Sequence, residues 1–313
     1  LIFYVYLLRK SEKGLNVANS RSFSTDVRAE VPRLTAINLP VRINLLGGWS
    51  DQLLYPGRAA VINAAIGWKA SDCFDGRYPL RIERRETDLT FLSVIEGIGT
   101  GLGISSIKAA AELLLENPHG DYVGKALEWE WAEGTKGGWQ DQVGAIHPGL
   151  KLVVTSDHEH YQICRNDDHP ILKRIVLFDT GIRRRAEKIG AKVRDLFEEK
   201  VFLDFMAELV EQTERALTLD ADSFALTCLA AWKRFAGFVP EMEVEAIPSI
   251  PSELTHGHMM VGAGGGGFGI FFAKDNEKRD EIVQILNSHS IDGKAIWSVK
   301  PILLSGAQFI WDR

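Results

Sequence analysis

Four stretches of the chain carry groups able to do chemistry. In "GTKGGWQDQVG" (134–144) a single carboxylate, Asp141, stands between two glutamine amides in a run with four glycines. Read alone, it is either a turn residue bonding its own backbone or an acid with a task. In "PVRINLLGGWSDQ" (40–52) Arg42 lies in an otherwise apolar run. A guanidinium buried there needs an anionic partner, whereas one that snorkels to the surface needs none. "GIGTGLGISSI" (97–107) puts Gly99, Gly101 and Gly103 around Leu102, with Ser105 and Ser106 where a helical composition starts. Glycines entering a helix expose backbone N–H groups at its positive end, an arrangement that favours phosphate. No GxxxxGK[ST] occurs, so any phosphate is held in a manner other than that of a Walker loop. "VGAGGGGFG" (261–269) contains a literal GxGxxG, but an apolar strand-like run follows where a dinucleotide fingerprint requires a helix. Packing of backbone against a ligand or another loop explains these glycines better.

The elements that must position these groups follow from periodicity. "LTAINLPVRINLL" and "AAVINAAIGW" read as paired strands around the turn-rich "GGWSDQLLYPG". "DLTFLSVI" reads as a strand, "IKAAAELLLEN" as a helix ending before Pro118, and 122–133 as a second helix delivering the chain into the glycine turn at 134. "GLKLVVTS" and "RIVLFDTG" follow as strands, then about three helices between Arg183 and Phe238, an amphipathic helix in "NEKRDEIVQILNSH", and closing strands in "AIWSVKPI" and "AQFIW". Strands and helices mix without a βαβ repeat, which predicts an α+β architecture of two lobes, 1–168 and 169–313, rather than a doubly wound sheet.

Composition excludes several classes. The 313 residues, 45% hydrophobic and 25% charged, are enough for a sizeable core. A net charge of -6, with no stripe of lysine and arginine, argues against nucleic acid as a partner. The opening "LIFYVYLL" is too short to span a bilayer and reads as a strand; no membrane partner is expected. Cys73, Cys164 and Cys228 are far apart and read as reduced thiols of a cytoplasmic protein. His158 and His160 lie two apart on a strand-like stretch, where solvated histidines are the simpler reading than a metal site.

Taken in order, "PVRINLLGGWSD", "GTGLGISSI" and "VGAGGGGF" resemble the three motifs of the GHMP kinase superfamily, named for its galactose, homoserine, mevalonate and phosphomevalonate kinases. Within it, "GGWSD" and "KGGWQDQVGAIHPGLKL" look most like L-fucose kinases. The heptose 7-phosphate kinases share the Asp-Gln pair but typically lack this tryptophan. The chain departs from the pattern in having only about fifty residues between the first two motifs, and Asp179 where a tyrosine is common.

The resemblance implies a two-lobed fold with the active site in the cleft, ATP and Mg2+ as cofactors, and a small sugar as the other partner. It implies that Gly99, Gly101, Leu102, Gly103, Ser105 and Ser106 wrap the ATP phosphates, and that Ser106 and Glu130 ligate Mg2+. Glu128 and Glu133 compete with Glu130, which only its spacing to Asp141 selects. Asp141 would orient the sugar hydroxyl and accept its proton, and Arg42 would pair with it or carry charge on the transferring group. Asp51 would bond sugar hydroxyls, Trp49 and Trp139 would offer a flat face to the sugar or lie in the core, and Gly264, Gly265 and Gly266 would approach the substrate. A heptose 7-phosphate kinase would call for clustered arginines, which keeps Arg183, Arg184 and Arg185 in view. A GHMP-fold binding protein without catalysis is the other alternative.

Overall fold

The structure, a computed structural model, describes residues 6–7, 34–85, 88–95, 99–118, 120, 122–132, 137–157, 160–183 and 187–311. Of the opening apolar run only β1 (Tyr6–Leu7) falls within them. The apolar stretch from Leu34 is split at Pro40, which has no N–H to give a ladder, into β2 (Leu34–Leu39) and β3 (Val41–Leu46). The two halves join different sheets. β3 pairs antiparallel with β4 (Ala59–Gly67), while β2 pairs with β5 (Leu80–Arg85), which forms a hairpin with β6 (Asp88–Ser93).

Three helices follow: α1 (Ile104–Glu116), α2 (Tyr122–Ala132) and α3 (Gln140–Ile146). Then come β7 (Leu150–Thr155) and β8 (Gln162–Arg165), which extend the β4 sheet so that it runs β1-β8-β7-β4-β15 with β3 also on β4. All nine residues of β4 are buried, because α3 and α5 pack against it. Its small-residue sequence, "AAVINAAIG", permits that close approach.

The remaining elements are β9 (Ile175–Asp179), α4 (Glu187–Leu196), α5 (Lys200–Ala216), α6 (Ala221–Phe238), β10 (Thr255–Met260), β11 (Phe268–Ala273), α7 (Lys278–Asn287), β12 (Ser290–Ile291), β13 (Lys294–Ala295), β14 (Trp297–Val299), β15 (Ile302–Leu303) and β16 (Gln308–Trp311). They build an antiparallel sheet ordered β10-β11-β9-β14, whose core holds Val176, Phe178, Phe271, Ile282 and Leu286. The last two strands cross back: β15 pairs with β4 and β16 with β2. The division proposed at 168 and 169 is crossed by packing: α5 lies against β4, and 302–311 pairs with β4 and β2. Every strand pair is antiparallel among the described residues, as an α+β architecture requires.

Several elements escape the sequence reading. β5, β10 and the short helix α3 are not anticipated, and the turn proposed around Asp141 is corrected to the first turn of α3. The strand reading around the histidines is also corrected. β8 begins only at Gln162, and His160 sits in the preceding loop with Nδ1 2.7 Å from Asp157 Oδ2; His158 lies outside the described residues. The three cysteines are free thiols. No described helix is long and apolar enough to cross a membrane.

Candidate active site

The geometry centres on Asp141. Arg42 projects from β3 with 3% exposure, and its Nε donates to Asp141 Oδ1 at 2.6 Å, with Nη2 also 2.6 Å from that oxygen. Its third nitrogen, Nη1, donates to the carbonyl of Gly101 at 2.8 Å. One buried guanidinium thus ties the carboxylate to the glycine loop, and the loop's shape brings it closer still. Gly101 and Gly103 have φ of 79° and 72°, and a β-carbon on Gly103 would stand 2.9 Å from Asp141 Oδ2. Gly103 is also where α1 begins, with no side-chain cap, so the positive end of α1 faces the carboxylate. Asp141 keeps 20% side-chain exposure, and so remains reachable.

Ser106, in the first turn of α1, bonds Glu130 of α2. Burial pushes Glu130 up to about 7, its bonds to Ser106 and Gln142 pulling the other way. Its Oε2 accepts from Gln142 Nε2 at 3.3 Å, while Oε1 is buried with no hydrogen-bond partner. Of the competing acids, Glu128 is exposed and Glu133 lies outside the described residues. An unsatisfied buried carboxylate oxygen beside a hydroxyl is an oxygen donor set that fits Mg2+, which takes one or two protein ligands and leaves the rest to phosphate and water. No group of three or more His, Cys, Asp or Glu able to hold a metal occurs among the described residues, so this pair is the site to consider. Ser105 is exposed beside it, whereas the side chain of Leu102 is buried in the core and its N–H donates to Thr100 Oγ1 at 3.3 Å.

The helix that carries Asp141 has only seven residues and is held from both ends by buried ionisable side chains. Asp51 accepts from the N–H of Gln140 at 3.1 Å and from its Nε2 at 3.2 Å. At the other end Lys151, fully buried, donates to the carbonyls of Gly144 at 2.7 Å and Gly149 at 3.1 Å. An acid at the N-terminal end and a base at the C-terminal end complement the helix dipole. Neither Gln140 nor Lys151 is singled out by the sequence reading; a lysine inside the apolar run "LKLVVT" was the available signal. Asp51 is itself 0% exposed, which corrects its expected role. Its oxygens serve the start of α3 and present no surface to a sugar.

Burial pushes the Asp51 carboxyl up to about 7 from an ordinary 3.8. The folded chain holds this proton at a pH where the unfolded chain has released it, so the contribution of Asp51 to stability falls as pH rises from about 4 to about 7 and changes no further above, whatever Glu130 and Lys151 add. Asp51→Asn is expected to remove that slope. In denaturant titrations, the wild type should lose about 2 kcal/mol more than the variant between pH 5 and pH 8. Parallel pH dependence in both proteins would refute the assignment.

Other expected contacts fall differently. Trp139 is fully buried between β4, α3 and β7, its ring 5.1 Å from that of Tyr161, and is core with no free face. Trp49 is half-buried, with φ 73°, and its ring stacks on Phe235 at 6.3 Å beside a cavity. Gly264 and Gly266 are buried against Trp232, Met242 and Ile182, and the N–H of Gly265 donates to the Met242 carbonyl. Of the three, Gly264 and Gly266 are packed against side chains of the second half of the chain, and Gly265 alone is partly exposed. The flanking glycines do meet the phosphate-type loop: β-carbons on Gly262 and Gly267 would stand 2.6 Å from Gly101 O and 2.4 Å from Thr100 O. Arg183 pairs with both oxygens of Asp179 at 2.6 Å; Arg184 and Arg185 lie outside the described residues.

No family model matches the chain. It is 27% identical over 373 residues to the bifunctional fucokinase/GDP-fucose pyrophosphorylase of Arabidopsis thaliana, covering 95% of this chain and 35% of the relative. It is 28% identical over 247 residues to the L-fucokinase/L-fucose-1-P guanylyltransferase of Bacteroides fragilis, covering 66% of this chain and 24% of the relative. The chain thus spans about a third of the length of the first and a quarter of the second. The first alignment is longer than this chain, so within the aligned region the relative has residues with no counterpart here. Among solved structures, the Lactococcus lactis galactokinase complexed with galactose superposes with a TM-score of 0.52 at 14% identity, covering 88% of this chain and 95% of that one. The fold is that of the GHMP kinases, and in sequence the chain is fucokinase-like.

Proposed function

We propose, for a chain with the fold of the GHMP kinases, that it transfers the γ-phosphoryl group of ATP to the anomeric hydroxyl of L-fucose, giving fucose 1-phosphate and ADP. The observation that carries this reading is the position of the Asp141 carboxylate. It is paired with Arg42 at 2.6 Å and set against Gly103 at the start of α1, so that an acid and a phosphate-type loop face one small space. Phosphoryl transfer asks little covalent work of a protein and much positioning and neutralisation of charge.

In this reading the loop 99–103 and the first turn of α1 bind the phosphates, and the sugar lies on the side of Asp141. The anomeric oxygen forms a bond to the γ-phosphorus, the bond from that phosphorus to the β,γ-bridging oxygen breaks, and the hydroxyl proton passes to Asp141. Arg42 holds the carboxylate in line and stands close enough to the loop to offset charge on the moving group. Ser106 and Glu130 would hold Mg2+, which supplies charge neutralisation on the phosphate oxygens. L-Fucose as the acceptor is supported by the tryptophan-containing motifs and by what the two curated relatives are named for.

The test is ADP release with L-fucose, galactose, mannose, heptose 7-phosphate and mevalonate. L-Fucose is expected to give the highest kcat/KM. Turnover confined to heptose 7-phosphate or mevalonate would remove the L-fucose assignment and leave the fold standing.

A further inference from the structure

A cavity of about 50 Å3 lies between Asn44, Gly48 and Trp49 on one side and Cys228, Trp232 and Met259 on the other. It is close to the proposed reacting centre by two routes. Gly262, in its wall, packs on Gly101, whose carbonyl accepts from Arg42, and Arg42 holds Asp141. Gly48, also in its wall, faces the side chain of Gln140, the residue before Asp141. The wall from α6 and β10 is apolar, and no charged side chain lines the cavity. Burial pushes the Cys228 thiol far up, so that it too stays neutral. The volume admits a group of a few heavy atoms and not a whole hexose.

We propose that this cavity receives the methyl group of a 6-deoxyhexose and so selects the acceptor by its deoxygenated end; the inference rests on the kinase reading above. In a pyranose, C1 and C5 flank the ring oxygen, so a methyl on C5 lies at the same edge of the ring as the reacting C1 hydroxyl. In this proposal the methyl enters the small neutral cavity, whose wall at Gly48 faces the Gln140 side chain, when the C1 hydroxyl meets the Asp141 carboxylate. A phosphate or carboxylate end would lose its hydration there with no cation to replace it. A C6 hydroxyl would find no partner on the apolar wall of α6 and β10; the acceptor open to it is Asn44 Oδ1 on the β3 wall, buried without a hydrogen-bond partner, so the comparison with L-galactose decides whether a methyl or a hydroxyl is taken. Trp49, held by its positive φ and stacked on Phe235, fixes the mouth.

The test compares L-fucose with L-galactose, which carries a hydroxyl on C6, and D-arabinose, which has the same ring without C6. In the wild type, kcat/KM for L-fucose is expected to exceed that for each of the others by roughly tenfold or more. Filling the cavity by Ala231→Leu, or by the smaller step Ala231→Val, should lower the fucose-to-arabinose ratio of kcat/KM roughly tenfold, thermal melting confirming that the variant is folded. Equal efficiencies on the three sugars in the wild type, or an unchanged ratio in a folded filled variant, would overturn the methyl site while leaving the kinase reading intact. No turnover of any of the three by the wild type would instead overturn the L-fucose reading on which this inference rests, so the two failures are distinct.

Discussion

Asp141→Asn is expected to lower kcat by roughly 10³-fold while leaving sugar and nucleotide affinity within about threefold. The asparagine keeps the shape that Arg42 Nε and Nη2 engage and still offers an oxygen to them, but it cannot take a proton from the sugar hydroxyl. The substitution also leaves a guanidinium of 3% exposure without its counter-charge. Because Asp141 is one-fifth exposed, that loss is discounted to about 2 kcal/mol from the larger cost of breaking a fully buried pair. Turnover is therefore to be read alongside a melting curve, and binding by calorimetry with L-fucose and with an ATP analogue separately. Near-normal kcat in the folded variant would remove Asp141 as the proton acceptor. A fall in both affinities, with kcat preserved, would make the residue a positioning group for the loop.

The contrast between what sequence carries and what it hides is clearest around this residue. The loop before α1 is legible because its information is local: alternating glycines supply positive φ, and a helical run with serines at its start follows at once. The cost of a lone guanidinium in the apolar run of β3 is legible too, but its partner lies 99 residues away, and nothing in either segment names the other except the family resemblance. Helix α3 is illegible for the same reason. Its glycine-rich sequence has no apolar period to speak of, and it is held by Asp51, 89 residues before Gln140, and by Lys151 on the following strand. Tertiary bonds to ionisable side chains override weak local propensity there. Trp139 and Asp51 are ambiguous in sequence because both residue types suit a sugar site, and only packing shows that one fills core, the alternative left open for it, and that the other bonds the start of α3. The quartet of glycines at 264–267 is legible as close backbone packing, whereas which of them meets the loop depends on register that composition does not encode.

Gly103→Ala is expected to reduce kcat/KM for ATP by roughly 100-fold, a loss that backbone strain alone does not produce. At φ 72° an alanine pays about 1 kcal/mol or slightly more for the left-handed conformation. Its methyl would also stand 2.8 Å from Asp141 Cγ, closer than carbon atoms approach, so either the carboxylate or the loop must shift. Asp141 cannot yield freely, being clamped by Arg42 at 2.6 Å, and Arg42 is tied to Gly101 of the same loop. Displacement by a fraction of an ångström therefore reaches the acid and the phosphate-type loop together, and misplacement on the scale of 1 Å costs about two orders of magnitude in rate. Gly76 supplies the control: it has φ 64°, and a β-carbon there meets nothing within 4 Å. Gly76→Ala should lose a similar amount of stability by thermal melting and keep wild-type turnover. If the two variants turned over alike, the start of α1 and the carboxylate of Asp141 would not share one reacting space, and phosphoryl transfer at this loop would have to be abandoned.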